Sequence, residues 1–196
     1  MADLRAPGVK ARRGPLGGLV LPGSAEFSLR AAPDAARFIL RGSREMAASL
    51  GDAFGASLPL QPNRAAASGA RAALWLGPDE WLLMAPGEDA GALAATQEKA
   101  LAGEPHSLVD VSERQIGIEV EGALAARALG AGCPLDLDEA QFPQGMATRT
   151  ILAKCEIVLW RRESARFHLE VWRSFADYAV NFLIEAAHRA PIARSP

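Results

Sequence analysis

The chain has 196 residues, of which 49% are hydrophobic and 22% are charged, and its formal net charge is −2 at pH 7. This length and composition suit one domain, or one compact body built from two related halves, with a full hydrophobic core. No excess of Lys and Arg is available to neutralise phosphates, which argues against a general nucleic-acid or membrane-surface binder.

The first 25 residues are rich in Gly, Pro, Arg and Ala. They are expected to form either a flexible arm or an arm that becomes ordered against a partner chain. Arg12 and Arg13 resemble a twin-arginine export signal, but the segment after them is too short and too broken by Gly and Pro for an export h-region. No apolar run reaches transmembrane length.

The rest of the chain is predicted to form one compact body, residues 26–190, followed by a tail at 191–196. Repeated elements divide this body into halves of about 26–104 and 105–190. Each half alone is too small to bury a two-sided sheet, so the halves are expected to share a core.

The first half begins with two short strand candidates, at 27–29 and 38–40. Ser43 is predicted to cap a helix that runs through about Phe54, and Gly55 to end it. The chain then enters a loop before its most apolar segment.

That segment is a predicted hairpin with strands at 73–77 and 81–85, joined by residues typical of a turn at 78–80. Both of its faces are apolar. One face is expected to pack on the shared core, and the other on helices of the same body or on a partner subunit. Asp89 can cap a helix that follows, through about Leu101.

The second half is predicted to contain strands at 116–122, 155–161 and 167–172, with an Ala/Leu helix at 123–129. Ser174 has the capping-box pattern of an N-cap for a final helix. Both halves therefore follow the order strand, helix, strand, strand, helix, which predicts an α+β fold made of duplicated units.

Alignment of the halves pairs Trp75 with Trp160 and Trp81 with Phe167. Tryptophans are more often core residues, but Trp172 lies on the face of its strand opposite Phe167. An exposed aromatic patch of this kind often marks a protein interface. The candidate interface residues are Trp75, Leu82, Met84 and Trp172.

The sequence contains no complete catalytic signature. Gly130 and Gly132 supply the first two glycines of a dinucleotide-binding fingerprint, but they follow a helix and precede Pro134, which favours a helix end. The histidines share no metal-ligand spacing and are expected in solvated or capping roles; they are His106, His168 and His188.

Two acidic pairs could in principle perform acid–base chemistry. Asp136 and Asp138 follow a proline and are expected to face water in a loop. Asp79 and Glu80 follow Pro78 and have the chemistry of a turn. No catalytic, cofactor-binding or metal-binding residue is therefore predicted in this chain.

Cys133 and Cys155 lie far apart in the sequence, in no metal-type spacing. A metal or redox role is possible for such a pair, but packing is favoured. They are predicted to be reduced thiols in a cytoplasmic protein.

Several stretches resemble the gamma subunit of heterotetrameric sarcosine oxidase: LGPDEWLL, VDVSERQIGIEVEG, AARALGAGCPLDL, TRTILAKCEIVLWR and FHLEVWRSFADY. The resemblance covers roughly residues 74–187.

That family is related to the folate-binding domain of the glycine-cleavage aminomethyltransferase (T-protein). The relationship shows in residues 110–112, in the strand that ends at Gly122 and in Ala125. T-proteins carry paired aspartates in the pterin-binding region, where this sequence has Lys-Cys-Glu-Ile at 154–157.

The resemblance implies a T-protein-like fold and a non-catalytic structural subunit. It implies a complex with alpha, beta and delta subunits that oxidises the N-methyl group of sarcosine, giving glycine and hydrogen peroxide, and passes the one-carbon unit to tetrahydrofolate. FAD, FMN and NAD are implied in alpha and beta, and zinc in delta, with no cofactor in this chain.

The alternative is a free-standing folate-binding or aminomethyltransferase-like protein. It would need a carboxylate to hold the pterin, for which Asp110 and Glu156 are the candidates. Asp110 is more simply explained as a hydrogen-bond partner at a strand end.

Overall fold

The computed structural model describes Leu16 and residues 21–189. Ten strands and four α-helices lie within these residues. The strands are β1 Ser28–Ala31, β2 Ala35–Gly42, β3 Ala65–Ser68, β4 Arg71–Gly77, β5 Glu80–Pro86, β6 His106–Asp110, β7 Gln115–Glu121, β8 Ala147–Leu152, β9 Cys155–Glu163 and β10 Arg166–Trp172. The helices are α1 Arg44–Phe54, α2 Ala90–Ala100, α3 Ala125–Gly130 and α4 Ala176–Arg189.

The strands form two five-stranded sheets. The first sheet has the order β3-β4-β5-β2-β6, and the second sheet has the order β8-β9-β10-β7-β1. All neighbouring strands are antiparallel. The predicted α+β fold with duplicated units is confirmed, because the two orders are the same when each strand of one half is replaced by its counterpart.

The opening strands of the two halves are exchanged. β1 pairs with β7 in the second sheet, and β6 pairs with β2 in the first sheet. Each half therefore completes the sheet of the other half. The first sheet uses the consecutive strands β2 to β6, whereas the second sheet combines β1 with β7 to β10 from later in the chain.

The layers are stacked as helices, sheet, sheet, helices. Trp81 and Phe54 are buried between the first sheet and helices α1 and α2. Phe167 and Leu183 are buried between the second sheet and helices α3 and α4. Leu82 belongs to a third core, between the two sheets. Because each strand alternates between its two neighbouring layers, a central strand has apolar residues at successive positions.

The first two helices begin and end where the sequence predicts. The Ser43 hydroxyl accepts a hydrogen bond from the Met46 amide, and the Asp89 carboxylate accepts one from the Ala92 amide. Gly55 ends α1 in the left-handed conformation, with φ at 77°. These caps satisfy amide and carbonyl groups that lack a partner within the helix.

The predicted cap at Ser174 is wrong. Residues Arg173–Phe175 form a single 3₁₀ turn, which has no side-chain cap, and α4 begins after it at Ala176. The tighter turn takes up the positions that a capping box would occupy.

Three strands were not expected from the sequence: β3, β6 and β8. β3 and β8 are the outer strands of the two sheets at one edge, and β6 is the outer strand at the other edge of the first sheet. β3 contains three alanines and a serine, which have weak strand preference. Pairing with a neighbour, rather than local sequence, determines its conformation.

The expected equivalence of Trp75 and Trp160 is displaced by one residue. Trp75 packs with the helix-side core of the first sheet, whereas Trp160 lies in the core between the sheets. In the register, Trp75 pairs with Trp81 and Arg161 pairs with Phe167. The counterpart of Trp75 is therefore Arg161, because a shift of one residue reverses the face of a strand.

The predicted N-terminal arm lies mostly outside the described residues, and the predicted tail lies wholly outside them. Where the arm is described, Leu16 is buried in the core of the second sheet and Leu21 packs against that core. No helix in the described part of the chain is long and apolar enough to cross a membrane.

Candidate functional site

A chain of buried ionic hydrogen bonds joins the two sheets. On the second sheet, His168 Nδ1 lies 2.8 Å from Glu119 Oε1, and His168 Nε2 lies 2.8 Å from Glu170 Oε1. Arg37 on the first sheet donates from Nε to Glu170 Oε2 at 2.7 Å. All four residues are buried. We refer to Arg37, Glu119, His168 and Glu170 as the inter-sheet network.

Strand alternation places this network. Leu169 and Val171 on β10 face the helices, so His168 and Glu170 face the first sheet. Glu119 on β7 is the register partner of His168. Gly117, two residues before Glu119, leaves room for the network: a Cβ atom there would lie 2.7 Å from His168 Cε1.

The network holds its members in their charged forms. Burial alone lowers the pKa of His168, but its bonds to Glu119 and Glu170 outweigh burial and raise the pKa to about 9. Burial alone raises the pKa of Glu119, but His168 and the charges of Arg162 and Arg166 lower the pKa to about 2. The pKa of Glu170 is lowered against burial, by His168 and Arg37. At neutral pH the imidazolium thus lies between two carboxylates.

Two further arginines extend the network toward solvent. Arg162 Nη1 lies 3.2 Å from Glu119 Oε1, and Arg166 Nε lies 3.4 Å from Glu119 Oε2. The guanidinium carbon of Arg162 also lies 4.9 Å from the centre of the Trp160 ring. Stacking on an aromatic face restricts the orientation of a guanidinium.

A cavity of about 220 Å³ adjoins the network. Arg37, Glu119, Arg162, His168 and Glu170 contribute charged walls, and the rest of the lining is largely apolar, including Ala72, Met84 and Trp160. Here four buried ionised groups, Arg37, Glu119, His168 and Glu170, adjoin a concave apolar surface. Such a combination makes a candidate binding site.

The expectation for His168 is wrong. The sequence suggests a solvated or capping histidine, but its side chain is buried and bonded on both ring nitrogens. The alternation of His168 and Glu170 resembles the solvent face of a strand. A signal was available in the sequence. Glu119, His168 and Glu170 lie on predicted strands, and packing of a second sheet on these strands would bury them.

The other two histidines lie apart from the network. His106 begins β6, with Nε2 3.0 Å from Glu98 and Nδ1 2.7 Å from the Glu104 carbonyl. Its pKa is raised by that carbonyl and by Glu98. His188 is exposed in the last turn of α4. No group of three or more His, Cys, Asp or Glu residues in the described ranges is arranged to hold a metal ion.

The carboxylates of the two acidic pairs accept hydrogen bonds from nearby backbone amides or form ion pairs with arginines. Asp136 accepts from the Asp138 amide, and Asp138 from the Ala140 amide, each at 2.9 Å. Asp79 and Glu80 form ion pairs with Arg41 and Arg149; these contacts are each 2.6 Å long. The predicted turn role of Asp79 and the loop roles of Asp136 and Asp138 are confirmed. Glu80 instead begins β5, and its ion pair with Arg149 links the two sheets.

Asp110 and Glu156, the candidate pterin ligands, are both exposed and neither lines the cavity beside the network. Asp110 accepts from the Ser112 amide and hydroxyl, at 2.9 and 2.6 Å. The expected strand-end role of Asp110 is therefore confirmed. Glu156 lies 3.9 Å from Arg149.

Both cysteines are free thiols buried in the core of the second sheet. Burial raises the pKa of Cys155, whose thiol also donates to the Leu152 carbonyl at 3.2 Å. A thiol kept protonated in a core is a poor nucleophile, so the packing role that the sequence favours is the one observed.

The four candidate interface residues do not form one surface. Leu82 and Met84 are buried between the sheets, so the second sheet of the same chain covers them. Trp75 is half-buried against the helix-side core. Trp172 remains 42% exposed, with the Arg114 guanidinium carbon 5.6 Å from its ring centre.

Comparisons with known proteins identify a family. A family model described as "Sarcosine oxidase, gamma subunit family" matches residues 19–189. Sarcosine oxidase subunits gamma from Corynebacterium sp. (strain P-1) and from Arthrobacter sp are each 36% identical over 140 residues, which is 71% of this chain and 68% of each relative.

Two solved structures are similar. One chain of the heterotetrameric sarcosine oxidase from Corynebacterium sp. U-96, in complex with pyrrole 2-carboxylate, matches with a TM-score of 0.83 and 31% identity, covering 93% of this chain and 99% of that chain. Glycine cleavage system aminomethyltransferase T from Bartonella henselae matches with a TM-score of 0.62 and 13% identity, over 82% of this chain and 46% of that chain. The second similarity is one of fold alone.

Proposed function

Because the chain belongs to the sarcosine oxidase gamma subunit family, we propose that it is a non-catalytic structural subunit of a multisubunit, flavin-dependent sarcosine oxidase. The observation that carries this proposal is the match over 93% of the chain to one chain of a heterotetrameric sarcosine oxidase. The complex would oxidatively demethylate sarcosine to glycine and transfer the one-carbon unit to tetrahydrofolate. It would be cytoplasmic.

The partners in this proposal are alpha, beta and delta subunits, which would hold FAD, FMN, NAD and zinc. Neither the glycine pair at 130 and 132 nor the inter-sheet network of this chain is suited to these groups. Gly130 and Gly132 lie at the end of α3 rather than between a strand and a helix, which a dinucleotide fingerprint requires. The carboxylates and histidine of the inter-sheet network are already bonded to one another.

A partner surface is proposed around Trp172. Ile151 pairs with Glu156, and the partner of Val171 is Ile157, so Ile151 and Trp172 flank Glu156 at one end of the second sheet. Both apolar side chains are exposed, at 48% and 42%. A large aromatic residue stacked with an arginine is typical of the energetic centre of an interface.

Co-expression tests the subunit proposal. The tagged full-length chain, expressed with the candidate flavoprotein subunits, is expected to recover them in stoichiometric amounts. Trp172→Arg should reduce this recovery, whereas Ala95→Arg, on the exposed surface of α2, should not. A soluble chain with no affinity for those subunits would contradict the proposal.

A free-standing folate-binding protein is the alternative, supported by the similarity in fold to aminomethyltransferase T. Its two candidate carboxylates, Asp110 and Glu156, are exposed. The cavity of about 220 Å³ is also smaller than the roughly 300–1,000 Å³ of sites for drug-sized ligands. Titration of the purified chain with tetrahydrofolate separates the two functions, since micromolar binding would favour the alternative.

A further inference from the structure

The cavity beside the inter-sheet network has an excess of positive charge. Arg71 also lines it, but both oxygens of Glu88 engage that guanidinium at 2.6 Å. Of the remaining ionised walls, Arg37, Arg162 and His168 are cationic, and Glu119 and Glu170 are anionic. Three positive charges against two negative charges leave an excess of one.

Two of these cations have donors to spare. Arg37 donates from Nε to Glu170 and from Nη1 to the Ala35 carbonyl, so Nη2 has no acceptor among the described residues. Arg162 uses only Nη1, toward Glu119, and its other nitrogens have no acceptor in the same residues. The guanidinium of Arg162 packs over the Trp160 ring. An arginine with free N–H groups and a fixed plane is suited to a carboxylate.

The rest of the cavity is suited to a short hydrocarbon. Its apolar walls include Met84, Trp160 and Ala72, all buried, and Ala67 lies at its exposed mouth. A volume of 220 Å³ corresponds to about seven molecules of liquid water. The space therefore suits a ligand of a few carbon atoms and is too small for a nucleotide.

We propose that this cavity binds a small organic monoanion, a carboxylate with a short apolar chain, held by Arg162 and Arg37. The ligand would neutralise the excess charge while its chain packs on Met84 and Trp160. Such binding is a property of this chain itself and is additional to its role as a subunit.

A purely structural network offers a competing explanation for the same charges. Buried ion pairs contribute little net stability relative to apolar side chains of similar volume. A structural network would also have no need of a cavity or of spare arginine donors. The two explanations differ in what they predict for Arg162 and Arg166, which both contact Glu119 although only Arg162 lines the cavity.

The test is calorimetric titration of the purified full-length chain with butyrate, butyramide and butylamine. Butyrate is expected to bind with one-to-one stoichiometry, about tenfold or more tightly than either uncharged butyramide or cationic butylamine, since only the carboxylate pairs with Arg162. If the chain is soluble only with its partner subunits, the same titrations use the complex, and the difference between wild type and Arg162→Gln isolates this site.

Matched variants identify the location. Arg162→Gln should weaken butyrate binding about tenfold. Arg166→Gln, which removes a comparable contact to Glu119 outside the cavity, should change it less than about threefold. Ala67→Phe, at the mouth, should abolish binding while thermal unfolding shows an intact fold.

Butyrate that binds no more tightly than butyramide would overturn the proposal. Equal losses in the two arginine variants, or full binding by Ala67→Phe, would do the same. Co-purification with flavoprotein subunits is a separate measurement, so failure of the carboxylate site is distinguishable from failure of the subunit assignment.

Discussion

At the scale of single residues, the inter-sheet network carries a large desolvation cost, because its four charged side chains are buried. Glu170 is wholly buried and depends on Arg37 and His168 for its compensation. An isolated carboxylate in such a position would be strongly destabilising, because the interior solvates charge poorly. The two sheets are thus held in a specific relative position by a pairing that tolerates little displacement.

Arg37→Met should lower the free energy of unfolding by about 3–5 kcal/mol, because it leaves Glu170 without its arginine. The double variant Arg37→Met/Glu170→Gln should recover part of this loss, since the side chain at position 170 is then uncharged. Arg30→Met, which breaks an exposed ion pair with Glu121, is the control and should cost less than about 1 kcal/mol. Urea unfolding measures all three, and equal losses for Arg37→Met and Arg30→Met would contradict the role of burial.

His168 should make stability depend on pH. Its pKa in the fold is about 9, above the ordinary 6.5, so its contribution is full below pH 6.5 and is lost as the pH rises to 9. The pKa of Glu119 is about 2, below 4.5, so its contribution is full above pH 4.5 and is lost toward pH 2. Both contributions are therefore complete between pH 4.5 and 6.5.

The difference in unfolding free energy between wild type and His168→Gln should consequently fall between pH 6.5 and 9, with a slope approaching ~1.4 kcal/mol per pH unit. Urea unfolding at several pH values measures it. His188→Gln, in an exposed position on α4, is the matched control. A difference for His168→Gln that stays constant across this range would contradict a charged His168 in the native state.

At the scale of elements, the first two helices are specified by nearby residues, whereas the edge strands are specified by pairing with a neighbouring strand. The caps Ser43 and Asp89 lie directly beside the helices that they begin, and the sequence identifies both helices correctly. The edge strands β3, β6 and β8 form because a neighbouring strand supplies hydrogen bonds. Their conformation is a tertiary effect, so alternation within a few residues does not reveal it.

The cap of α1 is expected to be worth about 1 kcal/mol. Ser43→Ala should lower the free energy of unfolding by that amount, since the Met46 amide loses its acceptor. Ser174→Ala is the control, because Ser174 lies in a 3₁₀ turn without a side-chain cap, and it should cost less than about 0.5 kcal/mol. Chemical denaturation of both variants decides between a specific cap and a general effect of losing a hydroxyl.

At the scale of the whole molecule, the exchanged strands make the two halves interdependent. β1 completes the sheet of the second half, and β6 completes the sheet of the first half. The core between the sheets takes Leu82 from one half and Val158 from the other. Neither half can bury its inward sheet face without the other.

Residues 26–104 and 105–190, expressed separately, are therefore each expected to lack cooperative unfolding, whereas the full-length chain should unfold in one transition. Mixing the two fragments should restore structure, because each supplies the missing edge strand. Circular dichroism during thermal unfolding provides the measurement. A fragment that unfolds cooperatively by itself would show that the duplicated units are independent domains.

The amino-acid sequence is sufficient to predict the duplicated α+β pattern, the caps of α1 and α2, the turn at Asp79, the loop positions of Asp136 and Asp138, and the resemblance to the family. These features depend on residues close together in the chain, or on motifs that survive as contiguous stretches. The layers that cover the two sides of a strand depend on contacts between residues that are distant in the chain. Leu82 and Met84 are covered by the other sheet. His168, which alternates like a solvent-facing residue, is buried and bonded to Glu170, and Glu170 in turn accepts from Arg37, 133 positions earlier in the chain. Period-two alternation separates the two faces of a strand but does not identify the layer that covers each face.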